Sequence, residues 1–402
     1  MKKLNFAMQW HITERCQNKC KHCYMYDAEY KRRLQNEKGI KEFIEILDNI
    51  ERFEEKYQVN IDSFYITGGD PLAHPDCYKL FEELNKRKRN IHILGIPERV
   101  TLEEIALLKN KKILSYQLSI DGTKEIHDSI RGEGSFQKTI NALRLLNKYG
   151  IESKVMFTLN RKNYNELFKV IKYLDENRIH TIFSFDFLIF QGNGEKLKEL
   201  LSLDEVKGVF TKYREAEKEL FKKESTVKLV EKSPLFNVFG METAFNEKKY
   251  IDYSVCAGCY CGYSSLAILP NADVYPCRRL PVKVGNLLED ELEDILLGNE
   301  LMQKFRHSEC YEECGTCVNF KICRGCPALA YSLTGSPFSK MPYCFCKEER
   351  NRNVETRIET NYDREMSLIQ KTFYNEMANC EEKNLFNMVK LLNEKVYVYS
   401  QQ

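Results

Sequence analysis

The 402-residue chain is predicted to be an α/β protein built on a parallel sheet, either open or curled into part of a barrel. Two observations predict it. Apolar, β-rich runs alternate with helix-period stretches about six times, the pattern of a parallel sheet with right-handed crossovers. Hydrophobic content of 43% beside 30% charged residues is the balance of a globular protein with a core to bury. The strand-like runs are, in order, NFAMQWHIT (5–13), DSFYIT (62–67), IHILGI (91–96), ILSYQLSI (113–120), SKVMFTL (153–159) and TIFSFDFLIF (181–190). Helical patterns lie between them. Residues 40–57 repeat Ile40, Phe43, Ile44, Leu47, Ile50 and Phe53 at intervals of three and four, and 75–89, 101–110, 135–149 and 163–177 behave alike. Residues 195–224 read as a charged helix with Leu197, Leu200, Leu201, Val206, Val209 and Phe210 on one face. In such folds chemistry collects where the strands end.

Charge narrows the function. With 61 basic and 59 acidic side chains the net charge is +2, which gives no electrostatic reason to expect nucleic acid or an acidic membrane as partner. No stretch approaches a membrane span. The opening MKKLNFAMQW has a short apolar run and no small-residue cleavage site, so no signal peptide is read and a cytoplasmic protein is expected.

Sixteen cysteines in a reducing compartment point to metal or redox chemistry rather than disulfides. Cys16, Cys20 and Cys23 directly follow the first strand; Cys77 and Cys380 stand alone; eleven crowd between Cys256 and Cys346. A structural zinc site is closed by four ligands, and three cysteines in TERCQNKCKHCY would need His11, His22 or a distant residue to complete it. Three thiolates on a 4Fe-4S cube instead leave one iron open for a substrate or cofactor.

This Cys-x3-Cys-x2-Cys loop resembles the signature of the radical S-adenosylmethionine (radical SAM) superfamily. The resemblance implies a partial (β/α)6 TIM-like barrel. It also implies a SAM molecule chelated by the open iron and cleaved reductively to a 5′-deoxyadenosyl radical, with flavodoxin or ferredoxin as electron donor. Gly68-Gly69-Asp70-Pro71 is similar to the family's Gly-Gly-Glu-Pro, which receives the SAM amino group. Asp for Glu shortens the side chain, so contact is expected mainly from backbone carbonyls that the glycines let approach. Ser119 and Asp121 are placed near the ribose and methionine ends of SAM, Arg131 at its carboxylate, and Tyr24 against the adenine. The chain departs from the family after the third strand, where relatives often read Thr-Asn-Gly and LGIPERV stands instead.

The second cysteine field resembles the SPASM extension of radical SAM proteins, which in many members holds two auxiliary 4Fe-4S clusters. By that likeness Cys261 and Cys277 open the domain, with Cys256 or Cys259 upstream, Cys256 being the one taken as ligand. Cys314, Cys317 and Cys323 form its core, Cys326 returns to the first auxiliary cluster, and Cys344 or Cys346 closes the second, with Cys344 taken. Ala272 stands where a glycine is usual, and two residues rather than three separate Cys323 from Cys326. Zinc ribbons are the competing reading of the same spacings, and with them a cysteine-rich binding protein without catalysis; iron and sulfide content separates the two.

The expected organisation is a radical SAM core (1–224), a linker (225–255), a SPASM domain (256–346) and a helical tail (347–402) with apolar positions such as Met366, Ile369 and Phe373. Proteins of this type mostly modify peptides or proteins, by thioether or carbon-carbon crosslinks or side-chain oxidation. A peptide or protein maturase is therefore the expected function. A sulfatase-maturating type is marked down, because Arg278-Arg279 follow Cys277 where that type commonly has an Asp base. Tetrapyrrole modification is the other alternative. About five residues precede the first strand, leaving no room there for the winged-helix leader-binding domain of some maturases. Asp186, alone among phenylalanines, is either a substrate contact or a partly exposed edge residue.

Overall fold

The computed structural model describes residues 6–239 and 258–345, apart from 318, 321 and 322. Cys256, Cys346, Cys380 and the tail from 347 lie outside the described residues. Seven strands run parallel: β1 (Ala7–Thr13), β2 (Ser63–Gly68), β3 (Asn90–Leu94), β4 (Ser115–Ser119), β5 (Glu152–Leu159), β6 (Thr181–Phe187) and β7 (Val227–Leu229). Three more, β8 (Ser265–Ile268), β9 (Asp273–Tyr275) and β10 (Gly285–Asn286), extend the sheet beyond β1, in the order β10-β9-β8-β1-β2-β3-β4-β5-β6-β7. The crossovers carry α1 (Tyr30–Gln35), α2 (Ile40–Tyr57), α3 (Cys77–Lys86), α4 (Leu102–Asn110), α5 (Lys124–Arg131), α6 (Ser135–Lys148) and α7 (Leu167–Glu176), followed by α8 (Leu203–Lys222). The cysteine-rich part adds α9 (Glu300–Lys304) and α10 (Pro327–Thr334).

Side-chain alternation explains how the strands serve both a core and a site. On β6, Phe183, Phe185 and Phe187 are buried on the helix-covered face, while Ser184 and Asp186 point to the other. The same inner face of β1 through β6 presents Gln9, Thr67, Leu94, Gln117, Met156 and Asp186 to a single cavity, so the sheet is curled around it. Trp10 of β1, fully buried, packs edge-on against Phe43 of α2 at 5.2 Å.

The stretch expected to be a linker belongs in part to the core. Val227, Lys228 and Leu229 pair with β6, and Phe236 stacks on Phe210 at 3.9 Å beside Phe185 and Tyr213. Each such aromatic contributes roughly 2 kcal/mol by burial, so residues up to 239 are packed rather than tethered. The domain boundary is also crossed by the sheet: β8 pairs in parallel with β1, Met8 opposite Leu266 and Trp10 opposite Ile268. Asn49 of α2 holds the far side by donating to the Leu287 and Asp290 carbonyls (3.0 and 2.8 Å). The cysteine-rich part is thereby fixed to the barrel edge that carries the first cysteine loop.

Ala272 occupies the turn between β8 and β9 with φ of +69°, the left-handed conformation that explains why glycine is usual there. A buried alanine in this conformation is strained by about 1 kcal/mol. Ala272→Gly is expected to leave stability unchanged or raise it by up to about 1 kcal/mol, the relief offset by glycine's backbone entropy; a clear loss in the denaturation midpoint would contradict this.

Candidate active site

The three-cysteine loop is held by backbone approach from below and by a buried carboxylate from the side. Gly69 N–H donates to the Thr13 carbonyl (3.0 Å) and Asp70 N–H to that of Arg15 (2.7 Å). A Cβ on Gly68 would lie 2.2 Å from the Thr13 oxygen, and one on Gly69 2.4 Å from the Arg15 oxygen and 2.6 Å from the Cys16 Cβ. The glycine pair therefore seats the cysteine loop, and both glycines also line the cavity. Asp70 does not. Its buried carboxylate accepts from Arg99 Nε at 2.7 Å, and Arg99 belongs to the divergent LGIPERV segment. Burial raises the Asp70 pKa while Arg99 opposes the shift. Of this motif only the two glycines line the cavity, and Asp70 Oδ2 is held by Arg99.

Asp121 also departs from the expected contact. It is fully buried and does not line the cavity. One oxygen accepts from Arg131 Nε (2.5 Å) and His22 Nε2 (3.1 Å), the other from Thr158 N–H (2.8 Å). Burial alone would raise its pKa, but Arg131 and His22 outweigh it and hold the carboxyl well below the usual range. Because His22 lies between Cys20 and Cys23, Asp121 at the end of β4 fixes the loop from within. Arg131 lines the cavity and places Nη1 3.8 Å from Cys20 Sγ, so it faces the cysteines as well as Asp121. Ser119 and Tyr24 line the cavity.

A third support could not be read from the sequence. After β6, Asn193 N–H donates to the Cys23 carbonyl (3.0 Å) and its Nδ2 to that of Cys20 (3.3 Å). Gly192, with φ of +54°, lets this turn close in: a Cβ there would lie 2.8 Å from the Cys23 and Tyr24 oxygens. The only local signal was the Gly-Asn-Gly turn itself.

The cavity has a volume of about 300 Å³. Cys16, Cys20 and Cys23 line it, and so do Cys277, Arg278 and Arg279 of the cysteine-rich part, together with Asp186 and Lys232. Asp186 is therefore a cavity residue; its Oδ2 pairs with Arg279 Nη2 at 2.5 Å. Lys232 lines the cavity with a side chain that is itself exposed. Burial pushes the Cys16 thiol up to about 11 and that of Cys23 up to about 12. Such thiols ionise only beside strong positive charge, which a metal cluster supplies. His11 and His22 do not complete a zinc set: His22 is held by Asp121, and His11 does not line the cavity. Among the described residues no three His, Cys, Asp or Glu side chains converge to hold one metal ion, and these cysteines surround a space instead.

The remaining cysteines fall into two groups. Cys261 lies beside Cys259 and Cys277, and Cys326 lies near Cys259. Cys259, one of the two upstream candidates, lies in this group, and Cys256, the one taken as ligand, is outside the described residues. Cys314, Cys317, Cys323 and Cys344 line a second, smaller cavity. Cys323 and Cys326 enter different groups because Arg324 and Gly325 between them are both left-handed, with φ of +58° and +62°. Two residues suffice for that turn. Buried Arg324 lies over the Tyr263 ring at 4.7 Å, and its Nε and Nη2 have no hydrogen-bond partner. Close to Cys259, this guanidinium suits a thiolate-bound, negatively charged cluster. Cys310 belongs to neither group.

Residues 10–174 match the family model of the Radical SAM superfamily, and residues 256–327 that of the SPASM iron-sulfur cluster-binding domain. The chain is a radical SAM enzyme with a SPASM domain. It is similar to the AdoMet-dependent heme synthase of Methanosarcina barkeri (strain Fusaro / DSM 804), 25% identical over 347 residues that cover 83% of this chain and 95% of that protein. It is also similar to the mycofactocin maturase MftC of Mycolicibacterium smegmatis, 25% identical over 82% of this chain and 80% of that one. The solved structure of Streptococcus suis SuiB bound to S-adenosylmethionine shares the fold, with a TM-score of 0.67 at 19% identity, covering 86% of this chain and 77% of that chain. The cofactors of this radical SAM enzyme are SAM and 4Fe-4S clusters. No helix among the described residues is long and apolar enough to cross a membrane.

Proposed function

We propose that this radical SAM enzyme modifies a side chain of a peptide or protein, as a crosslink or an oxidation, in the cytoplasm and with a flavodoxin- or ferredoxin-type electron donor. One observation carries the reading: the three-cysteine loop and the Cys277-Arg279 turn line one cavity of about 300 Å³. That volume is at the lower end for small-ligand sites. A substrate side chain entering this cavity would lie between the three-cysteine loop and the Cys277 turn. The similarity to the mycofactocin maturase agrees.

In this reading Cys16, Cys20 and Cys23 hold the SAM-binding cluster, and bound SAM supplies a 5′-deoxyadenosyl radical that abstracts hydrogen. Gly68 and Gly69, Ser119, Arg131 and Tyr24 form the walls that would orient SAM. Cys259, Cys261, Cys277 and Cys326 hold one auxiliary cluster, and Cys314, Cys317, Cys323 and Cys344 the other. Tetrapyrrole modification stays as the second reading because the heme synthase is matched over 95% of its length.

The test is to incubate anaerobically reconstituted enzyme with SAM, dithionite and, separately, a short peptide encoded by a neighbouring open reading frame and iron coproporphyrin III. The expected result is a mass change in the peptide and none in the porphyrin. The reverse outcome would establish the second reading.

A further inference from the structure

Around the Cys277 turn, three cations and one carboxylate line the cavity: Lys232, Arg278, Arg279 and Asp186. Arg279 is fully engaged. Its Nη2 pairs with Asp186 Oδ2 at 2.5 Å and its Nη1 donates to the Phe187 carbonyl at 3.2 Å. Among the described residues, Lys232 and Arg278 have neither an ion pair nor a hydrogen bond. Two cations brought together on one cavity wall repel each other, and the nearby Asp186 carboxylate, already paired with Arg279, offsets this only in part. An unpaired lysine and arginine are ordinary on an open surface, where water screens them. On the wall of a reaction cavity they form a receptor for an anion, Arg278 supplying a planar fork of donors and Lys232 a point charge.

We propose that Lys232 and Arg278 bind a carboxylate of the substrate, from an acidic side chain or the C-terminus of a peptide, and so set which residue faces the three-cysteine loop. The peptide as carrier of that carboxylate rests on the function proposed above; the anion site itself does not. Asp186 contributes by occupying Arg279, which keeps that guanidinium against β6 and leaves Arg278 turned to the cavity. A neutral substrate would leave the two cations unpaired, so the site discriminates by charge as well as by shape.

The experiment measures binding by anaerobic equilibrium dialysis to the reconstituted enzyme saturated with SAM. The probes are acetyl-Ala-Ala-Glu-amide, acetyl-Ala-Ala-Ala with a free C-terminus, the uncharged acetyl-Ala-Ala-Gln-amide, and iron coproporphyrin III. A peptide carboxylate is expected to bind roughly tenfold to a hundredfold more tightly than the Gln-amide probe, the range of a charge-assisted hydrogen bond. Arg278→Gln and Lys232→Gln are each expected to remove most of that preference, and Arg278→Lys to retain part of it. Iron content equal to that of the unaltered enzyme checks that each variant is folded. Which of the two acidic peptides binds tighter tells a side-chain from a C-terminal carboxylate. If only the porphyrin binds, and binding depends on Arg278, the anion site stands and the peptide reading falls. Equal binding of acidic and uncharged peptides overturns the anion site and leaves the peptide reading intact. A preference that survives both Gln variants also overturns it, as does a loss confined to SAM affinity, which would assign the two cations to the cofactor.

Discussion

Replacing Cys16, Cys20 and Cys23 together by alanine is expected to abolish 5′-deoxyadenosine formation while leaving about eight of about twelve irons, at about four per cluster. The expectation rests on the separation of the three cysteine sets. Cys259, Cys261, Cys277 and Cys326 meet at the β8–β9 hairpin, and Cys314, Cys317, Cys323 and Cys344 line a cavity of their own. Neither set shares a ligand with the loop after β1. The loop's own fold depends on its backbone bonds to Gly69, Asn193 and Ile130 and on His22, none of which passes through a thiol. The triple variant should therefore keep its secondary structure and lose one cluster rather than all. Iron and acid-labile sulfide, measured after anaerobic reconstitution, give the count, and chromatography of the dithionite reaction gives 5′-deoxyadenosine. Persistent 5′-deoxyadenosine in the triple variant would remove these cysteines from the site. Stoichiometric zinc without sulfide in the unaltered protein would remove the clusters altogether.

The regular part of the barrel was legible because its signals are local. Residues 40–57 carry an unbroken apolar repeat, and the helix occupies those residues. The six long strands are bounded by turn residues and were placed within a few positions, the largest trim being at the end of β6. Two kinds of feature were not legible. Val227–Leu229 is three residues long, too short for any period, and becomes a strand only because β6 offers a free edge. The helix expected over 195–224 begins at Leu203, where Ser202 and Glu205 exchange capping bonds (3.2 and 2.7 Å). Gly192 and Gly194 ahead of it instead form the turn that closes on the cysteine loop.

The site shows the same division. Spacing alone brought Cys16, Cys20 and Cys23 to notice, and strand alternation singled out Asp186. What Asp70 and Asp121 do depends on partners distant in sequence, Arg99, Arg131, His22 and Thr158, and motif position says nothing of these. The choice between Cys256 and Cys259 was also open on spacing; Cys259 approaches Cys261, while Cys256 lies outside the described residues.

Asp121→Ala is expected to lower stability by about 3 kcal/mol, the largest loss anticipated from any single substitution at this site. The carboxylate is the common acceptor for Arg131, His22 and the Thr158 N–H, and it has no exposure. Removing it leaves a guanidinium and an imidazole beside each other without a counter-charge, and uncompensated buried charges cost more than the pair itself contributes. The lower end of the range applies because the Arg131 side chain keeps 20% exposure and water can reach it. Asp121→Asn should lose less, since the amide oxygen can still accept from Thr158 while the charge is gone. Because its folded pKa is depressed, the Asp121 contribution is present above the ordinary carboxylate range and disappears only as pH falls through the lowered value. The gap between Asp121→Ala and the unaltered protein should accordingly stay constant from about pH 6 to pH 8 if the carboxylate alone titrates. A denaturant series under anaerobic conditions reads the gap, and iron content reads its consequence. With His22 released, the loop between Cys20 and Cys23 loses its inner anchor, and the variant should retain the two auxiliary iron sets more fully than the first. A variant as stable as the unaltered protein, with a full complement of iron, would mean that Gly69 and Asn193 hold the loop without help from Asp121.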